Sequence, residues 1–337
     1  MYAALSVLSN HIERLLEPTQ RPKVVVVGYG WAGAAFVHSV DKSKYDVHVV
    51  STRTKRLNQP QLISLFKPTY TEPPRNLVLI EDECIAVDEQ AHRISGRSQN
   101  YKYDYLVVAS GSEPNDYGIP GVKENCLTFK TEQDLERLIT LLPSVTPINV
   151  IGAGPTGIEL AIKLKRMGNI VKLIEATPDI LPGFSNSMKD MVKATLEQND
   201  IVVERGQKIT AVSSNFITQN AINVPITGPV IWTCGVKPTD FMRRLGKPDE
   251  FLSVKPAIFA IGDCATGHGP PTAQNAEQQG RYLAKRFNSD FQGQPYKFTE
   301  FARLLDVGDG LLIEKNGYIV KIPDFLKSFV YFVINNK

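Results

Sequence analysis

Two glycine-rich runs carry the most legible chemistry. Gly28-Tyr29-Gly30-Trp31-Ala32-Gly33 and Gly152-Ala153-Gly154-Pro155-Thr156-Gly157 are both G-x-G-x-x-G. In such a run the first glycine permits a tight turn and the second lets a pyrophosphate approach the backbone. The third lets the following helix pack on the strand. The helix N-terminus adds free N–H groups and partial positive charge for phosphates, and Pro155 sits where its missing N–H costs nothing. One such run is a weak signal. Two with identical spacing, 124 residues apart, form an internal repeat. Ser51 and Glu175 each stand 23 residues after the first glycine of their run, so they share the offset. A glutamate there accepts both ribose hydroxyls of an NADH adenosine and repels the 2′-phosphate of NADPH. Serine can bond a ribose hydroxyl, without charge. The basic run Arg53, Lys55, Arg56 can meet adenine or phosphate, or be a solvated loop.

Further along, Asp263 ends an apolar strand, where ligands bind in an α/β sheet, and can bond a polyol chain. Thr272 can cap a long helix. On it Gln274 and Gln278 share a face at i, i+4. Their amides suit a carbonyl-bearing acceptor, or a polar face in solvent. The Ala109-Ser110-Gly111 turn is small enough for backbone to come close to a ligand.

The elements that must position these residues follow from patterning. Val24–Val27 runs into the first loop as a buried parallel strand. Tyr45–Val50, Tyr103–Val108, Pro147–Ile151, Ile170–Ile174, Ile201–Glu204, Val230–Cys234 and Ala257–Ile261 read the same way. Helices are expected over Ala34–Val40, Thr131–Leu142, from Pro155 to about Met167, Asn186–Gln198 and Thr272–Phe287. Leu77–Ile80, Cys84–Val87 and Arg93–Ser95 read as an antiparallel meander, Gln59–Pro74 as irregular, Glu113–Gly121 as a linker, and Lys208–Ile217 as two weak strands. The tail offers strands at Phe301–Leu304 and Leu311–Ile313. A stripe then follows, Ile322, Phe325, Leu326, Phe329, Val330 and Val333, which fits a membrane-surface helix or a terminal helix packed on the body. Met1–Pro18 reads as a short amphipathic helix, with Glu13 and Glu17 arguing against a targeting presequence. The fold class is α/β: two Rossmann-like dinucleotide-binding domains, the first (1–116 and 236–337) interrupted by the second (117–235), with a short C-terminal tail.

Composition bounds the rest. With 42% hydrophobic and 22% charged residues the chain is an ordinary globular protein, and its 337 residues suggest two or three domains. A net charge of +3 is too slight for nucleic acid, and no apolar run approaches a membrane span. Cys84, Cys126, Cys234 and Cys264 form no C-x-x-C, which argues against zinc and against a dithiol centre; no metal site is expected. Reduced thiols fit an intracellular, reducing compartment.

The residues Val50-Ser51-Thr52-Arg53, Tyr103–Gly111, Gly118–Val122, Gly154–Glu159 and Pro270–Gln274 with Gln278-Gln279-Gly280 reach a known family. From about Lys23 to Asn288 the chain resembles the type II (alternative) NADH dehydrogenases, single-chain flavin NADH:quinone oxidoreductases of the two-dinucleotide-binding-domain flavoproteins. The resemblance implies FAD on Gly28, Gly30, Trp31, Gly33, Ser51, Arg53, Ser110 and Gly111. It puts Asp263 at the ribityl-phosphate region and Ala273-Gln274 beside the isoalloxazine. It implies NADH on Gly152, Gly154, Pro155, Thr156, Gly157, Glu175 and Gly235, with Glu159 near the nicotinamide and Gln278 and Gln279 near the quinone. NADH would give a hydride to the flavin, and two electrons would pass to a quinone without proton pumping. Such enzymes sit peripherally on a membrane, the mitochondrial inner membrane in eukaryotes. The resemblance leaves a homodimer open. Two departures stand out: Lys55, Arg56 and Asn58 stand where the family has an aromatic stretch, and of the family's longer membrane-docking carboxyl-terminal region only the stripe from Ile322 to Val333 is expected. A soluble NADH oxidoreductase with a protein or oxygen as acceptor, and a redox-sensing FAD/NADH-binding protein, are the alternatives.

Overall fold

The computed structural model describes residues 21–142, 147–226, 228–327 and 330. The helix expected over Met1–Pro18 lies outside them. Apolar β-branched runs form the buried strands, as their composition demands. The first unit holds β1 (Lys23–Val27), α1 (Trp31–Ser39), β2 (Asp46–Ser51), β3 (Val78–Glu81) and β4 (Tyr105–Val108). The second holds β5 (Cys126–Thr128), α2 (Glu132–Leu141), β6 (Ile148–Ile151), α3 (Pro155–Arg166), β7 (Val171–Ile174), α4 (Asn186–Gln198), β8 (Val202–Glu204) and β9 (Val230–Trp232). The chain returns through β10 (Ser253–Lys255), β11 (Ile258–Ala260) and α5 (Ala273–Asn288). It continues as β12 (Arg303–Asp306), β13 (Gly310–Lys315) and β14 (Tyr318–Pro323).

The first sheet has the order β10-β11-β4-β1-β2-β3, the second β5-β9-β6-β7-β8. All pairs in the second are parallel, and in the first only β10 runs antiparallel. This is the expected pair of Rossmann-like units. Between them, Ser112–Pro114 and Val236–Pro238 pair antiparallel, with Ser112 opposite Pro238, Glu113 opposite Lys237 and Pro114 opposite Val236. These segments are themselves 124 residues apart. The repeat therefore continues into the connections between the units, which meet around a local pseudo-two-fold. Lys237 lies 3.9 Å from Glu113 at its centre and 2.8 Å from Asp116.

Several expectations are corrected. Val78–Glu81 is not in the meander: it extends the main sheet beside β2, with Val49 opposite Leu79. The meander is Cys84–Asp88, Arg93–Gly96 and Asn100–Lys102. A half-exposed edge strand shows little of the apolar continuity that marks a parallel neighbour. Gln59–Ser64 is a helix, because Pro60 falls in its first turn, where it is tolerated. Its Leu62 and Ile63 are buried with the second unit's core, as are Leu305, Val307 and Leu312 of the tail. Lys208–Ile217 belongs to a three-stranded sheet that continues to Pro225. Ile322 lies in β14, so the tail stripe is not one helix; Phe329 and Val333 lie outside the described residues. Phe325 is 81% exposed in the turn after β14. Among the described residues no helix is long and apolar enough to cross a membrane.

Candidate functional site

The two glycine loops repeat one geometry. Gly28 (φ +101°) and Gly152 (φ +103°) take a backbone that L side chains rarely adopt. Each donates its N–H over 2.8 Å to a carbonyl at the carboxyl end of the neighbouring strand, Val50 in β2 and Ile174 in β7. A Cβ on Gly33 would overlap the Gly28 carbonyl, and one on Gly157 the Gly152 carbonyl. At Gly30 and Gly154 an added Cβ meets nothing among the described residues within 4 Å. Outer glycines thus serve the fold, while the middle one keeps space open for a ligand. Pro155 and Thr156 are exposed at the open end of α3.

Ser51 and Glu175 also occupy one structural role. The Ser51 hydroxyl accepts from Tyr29 N–H (3.3 Å) and Arg53 N–H (3.2 Å). Glu175 accepts from Ala153 N–H (2.7 Å) through one oxygen and from Thr177 N–H and Oγ1 (2.8 Å each) through the other. Both residues are buried. The carboxylate is therefore fixed in direction at the mouth of the second cradle only. Gly111 (φ +69°) and Gly235 (φ +82°) are equivalent turns after β4 and β9. Ser110 Oγ lies 3.0 Å from Thr239 Oγ1.

Asp263 stands at the carboxyl end of the first sheet, after the left-handed Gly262 (φ +81°). Gln279 builds that turn: its Oε1 accepts from Gly262 N–H (2.7 Å) and its Nε2 donates to the His268 carbonyl (3.2 Å). Gln279 is fully buried, so its amide is spent on positioning and does not face an acceptor. Gly280 lets α5 touch α1, since a Cβ there would overlap the Ala32 carbonyl. Ala273 opens α5, capped by Thr272, whose hydroxyl accepts from Asn275 N–H (3.2 Å).

Gln274 and Gln278 are half-buried, and both amides are engaged. Gln274 Oε1 accepts from Phe301 N–H (2.9 Å) and its Nε2 donates to the Ala302 carbonyl (3.4 Å). Gln278 Oε1 accepts from Thr299 N–H (3.0 Å) and its Nε2 donates to the Thr299 carbonyl (2.8 Å). The i, i+4 amides bond main-chain groups of a segment without regular secondary structure, much as a partner strand would. That strap, Thr299–Ala302, lies along the face of α5 where an acceptor was expected.

Residues 22–280 match the pyridine nucleotide-disulphide oxidoreductase family. The chain belongs to that family. Among curated relatives, the internal alternative NAD(P)H-ubiquinone oxidoreductase A1 of Arabidopsis thaliana is 30% identical, over 94% of this chain and 81% of its own length. The external enzyme B2 of the same plant is 29% identical, over 74% of this chain and 55% of its own. The chain thus spans little more than half the length of several relatives it matches. In structure it is similar to NDH2 from Plasmodium falciparum, solved in complex with NADH, with a TM-score of 0.81 at 19% identity over 93% of this chain and 94% of that one. The disulphide of the family name has no counterpart here. Cys84, Cys126, Cys234 and Cys264 are free thiols. Burial pushes the first three up to about 12 and Cys264 up to about 11.

Within this family setting, three features escaped the sequence. Arg56, not Arg53, stacks on Trp31, its guanidinium 4.1 Å from the ring centroid. Lys130 reaches Asp263 from the other unit. Glu159 accepts from Asp306 N–H (2.9 Å), and Lys327 lies 2.5 Å from the Asp306 carboxylate. No motif signals such pairings; only the burial of a lone lysine or acid could have. Burial, with the Asp306 charge, pushes the Glu159 carboxyl up from the ordinary 4.5 to about 8, against the Asp306 N–H and Lys327. The folded chain therefore keeps this proton where the unfolded chain has lost it. Stability should fall as pH rises from about 5 to 8, by at most about 1.4 kcal/mol per pH unit from this group. Glu159→Gln should flatten that slope in thermal melts across this range; an unchanged slope would show that Glu159 does not hold the proton.

Proposed function

We propose that the chain oxidises NADH through a bound FAD and delivers two electrons to a quinone. The observation that carries this reading is the asymmetry of two otherwise identical cradles. Only the second presents a carboxylate, Glu175, suited to the ribose of an exchanging NADH. The first suits a resident dinucleotide. Gly30 leaves its cradle open, and Trp31 Nε1 and Arg56 Nε are buried donors without a partner among the described residues. Asp263 stands at the strand end, directly after Gly262, where a Cβ would meet the Ala32 side chain of α1. Together these residues fit FAD, with Ser51 and Gly111 lining the same mouth. FAD when bound supplies the step between a hydride donor and a quinone acceptor.

The chain's own residues bind, orient and exclude water. Glu175 sets the adenosine end of NADH, the amides at the start of α3 hold its pyrophosphate, and Gly235 keeps the exit turn clear. Glu159, holding a proton near neutral pH, places a neutral carboxyl between α3 and β12. Gln274 and Gln278 fix the strap against α5, so the acceptor would enter beside Phe301, which is 58% exposed. Relatives named as mitochondrial ubiquinone oxidoreductases, and exposed Tyr318, Val320 and Phe325 near Lys321, support peripheral contact with a quinone-bearing membrane.

The test is the visible spectrum of the purified protein. A flavin band that bleaches within seconds of NADH addition and returns with a short-chain ubiquinone analogue is the expected result. A band that stays, or that returns faster with oxygen or a ferredoxin-like protein than with quinone, overturns the assignment. Gln278→Ala should loosen the strap and lower kcat/KM for the quinone by about tenfold, the equivalent of one lost hydrogen-bonded contact. Ferricyanide reduction should be unchanged; equal losses would remove Gln278 from the acceptor side.

A further inference from the structure

Lys130 is a charged residue that the proposed reaction does not use. It belongs to the second unit, directly before Thr131, the cap of α2. Its ammonium crosses to the first unit, where Nζ lies 2.5 Å from Ser112 Oγ and 3.4 Å from Asp263 Oδ2. The Ser112 hydroxyl donates to that same Asp263 oxygen at 2.8 Å. Lysine and aspartate side chains are each only 20% exposed.

The base of the lysine is clamped from both units. The Asp134 carboxylate accepts from Lys130 N–H (2.9 Å), Thr131 N–H (2.8 Å) and the Thr128 hydroxyl (2.8 Å). Gln59, from the first unit, donates to the Lys130 carbonyl (3.1 Å). A side chain whose root is fixed in this way loses little freedom when it pairs. The result is an unequal carboxylate. Asp263 Oδ2 takes both donors, while Oδ1 has no hydrogen-bond partner among the described residues. Burial pulls the ammonium below its ordinary range, and the Asp263 charge opposes this.

We propose that Lys130 is a positioning residue for the flavin site, holding Asp263 through Oδ2 so that Oδ1 is presented to a hydroxyl of the FAD chain, and neutralising the carboxylate beside the flavin. The inference rests on the reading of the first cradle as the FAD site. It makes the grip on the resident cofactor depend on a residue of the NADH unit. It also gives the lysine an electronic role, because an uncompensated negative charge nearby opposes electron uptake by a flavin.

The experiment is a double-mutant cycle on the holoprotein, read by the FAD dissociation constant and the flavin midpoint potential. Lys130→Met should raise the dissociation constant about tenfold, the scale of a lost hydrogen bond to a charged group, and shift the potential to more negative values. Asp263→Asn should weaken FAD similarly without that negative shift. The double variant should bind FAD no worse than Asp263→Asn alone, and its potential should return to that of the parent or above. A merely structural lysine would not give that return. Lys130→Gln keeps a donor without charge, so it should hold affinity within about threefold while still lowering the potential. It also serves if the methionine variant does not fold. Unchanged potential in both lysine variants, or affinity losses that multiply in the double variant, would overturn the proposal. A parent protein that binds no FAD is seen before any variant is made, and overturns the underlying reading instead.

Discussion

A Gly30→Val variant is expected to fold and to purify without flavin. The reason lies in the difference between glycines of one loop. A Cβ at Gly30 meets no atom of the described residues within 4 Å, so the side chain costs the empty protein little. It would instead fill the space in which a pyrophosphate must lie against backbone N–H groups. Losing two such charge-assisted hydrogen bonds, at about 1.5–3 kcal/mol each, weakens FAD by about 10²–10⁴-fold. Circular dichroism and the 450 nm region of the spectrum report the two halves of this result. A yellow, active variant would place the flavin elsewhere. The same substitution at Gly33 should fail differently, because its Cβ overlaps the Gly28 carbonyl and prevents α1 from docking on β1.

Glu175→Ala should leave flavin content intact and change the choice of pyridine nucleotide. In the parent both carboxylate oxygens are aimed by Ala153 N–H and by Thr177, so the charge cannot swing away from the cradle mouth. Removing it deletes two acceptors for ribose hydroxyls and the repulsion of a 2′-phosphate. KM for NADH should rise by about 10–30-fold, one to two hydrogen bonds to a charged group. The preference for NADH over NADPH in kcat/KM should fall by about a hundredfold, since the two effects act in opposite directions on the two substrates. Steady-state kinetics with both nucleotides measure it. An unchanged ratio would show that the adenosine does not sit against Glu175.

Both expectations were available from residue types and spacing, because the features behind them are local. Four valines before a glycine make a buried strand in any context. A helix bounded by Ser185 and ending at Gln198 announces itself through its cap and its apolar stripe. The loop-to-loop offset of 124 needs only counting. It even extends, unnoticed in the sequence, to the paired connections Ser112–Pro114 and Val236–Pro238. What periodicity encodes is which face of an element is buried. It does not encode what that face meets. Val78–Glu81 has the same pattern whether it closes a meander or edges the main sheet. Gln278 and Gln279 are adjacent in a motif, yet the helical turn of about 100° between them sends one to the strap and the other into the core. Lys130 and Asp263 are 133 residues apart and carry no shared motif. The sequence alone determined two dinucleotide cradles and the acid that distinguishes them, since each is written in one short run of chain. Only the tertiary structure decided that a lysine of one unit stands on the aspartate of the other, because that contact arises from how two separately specified sheets dock.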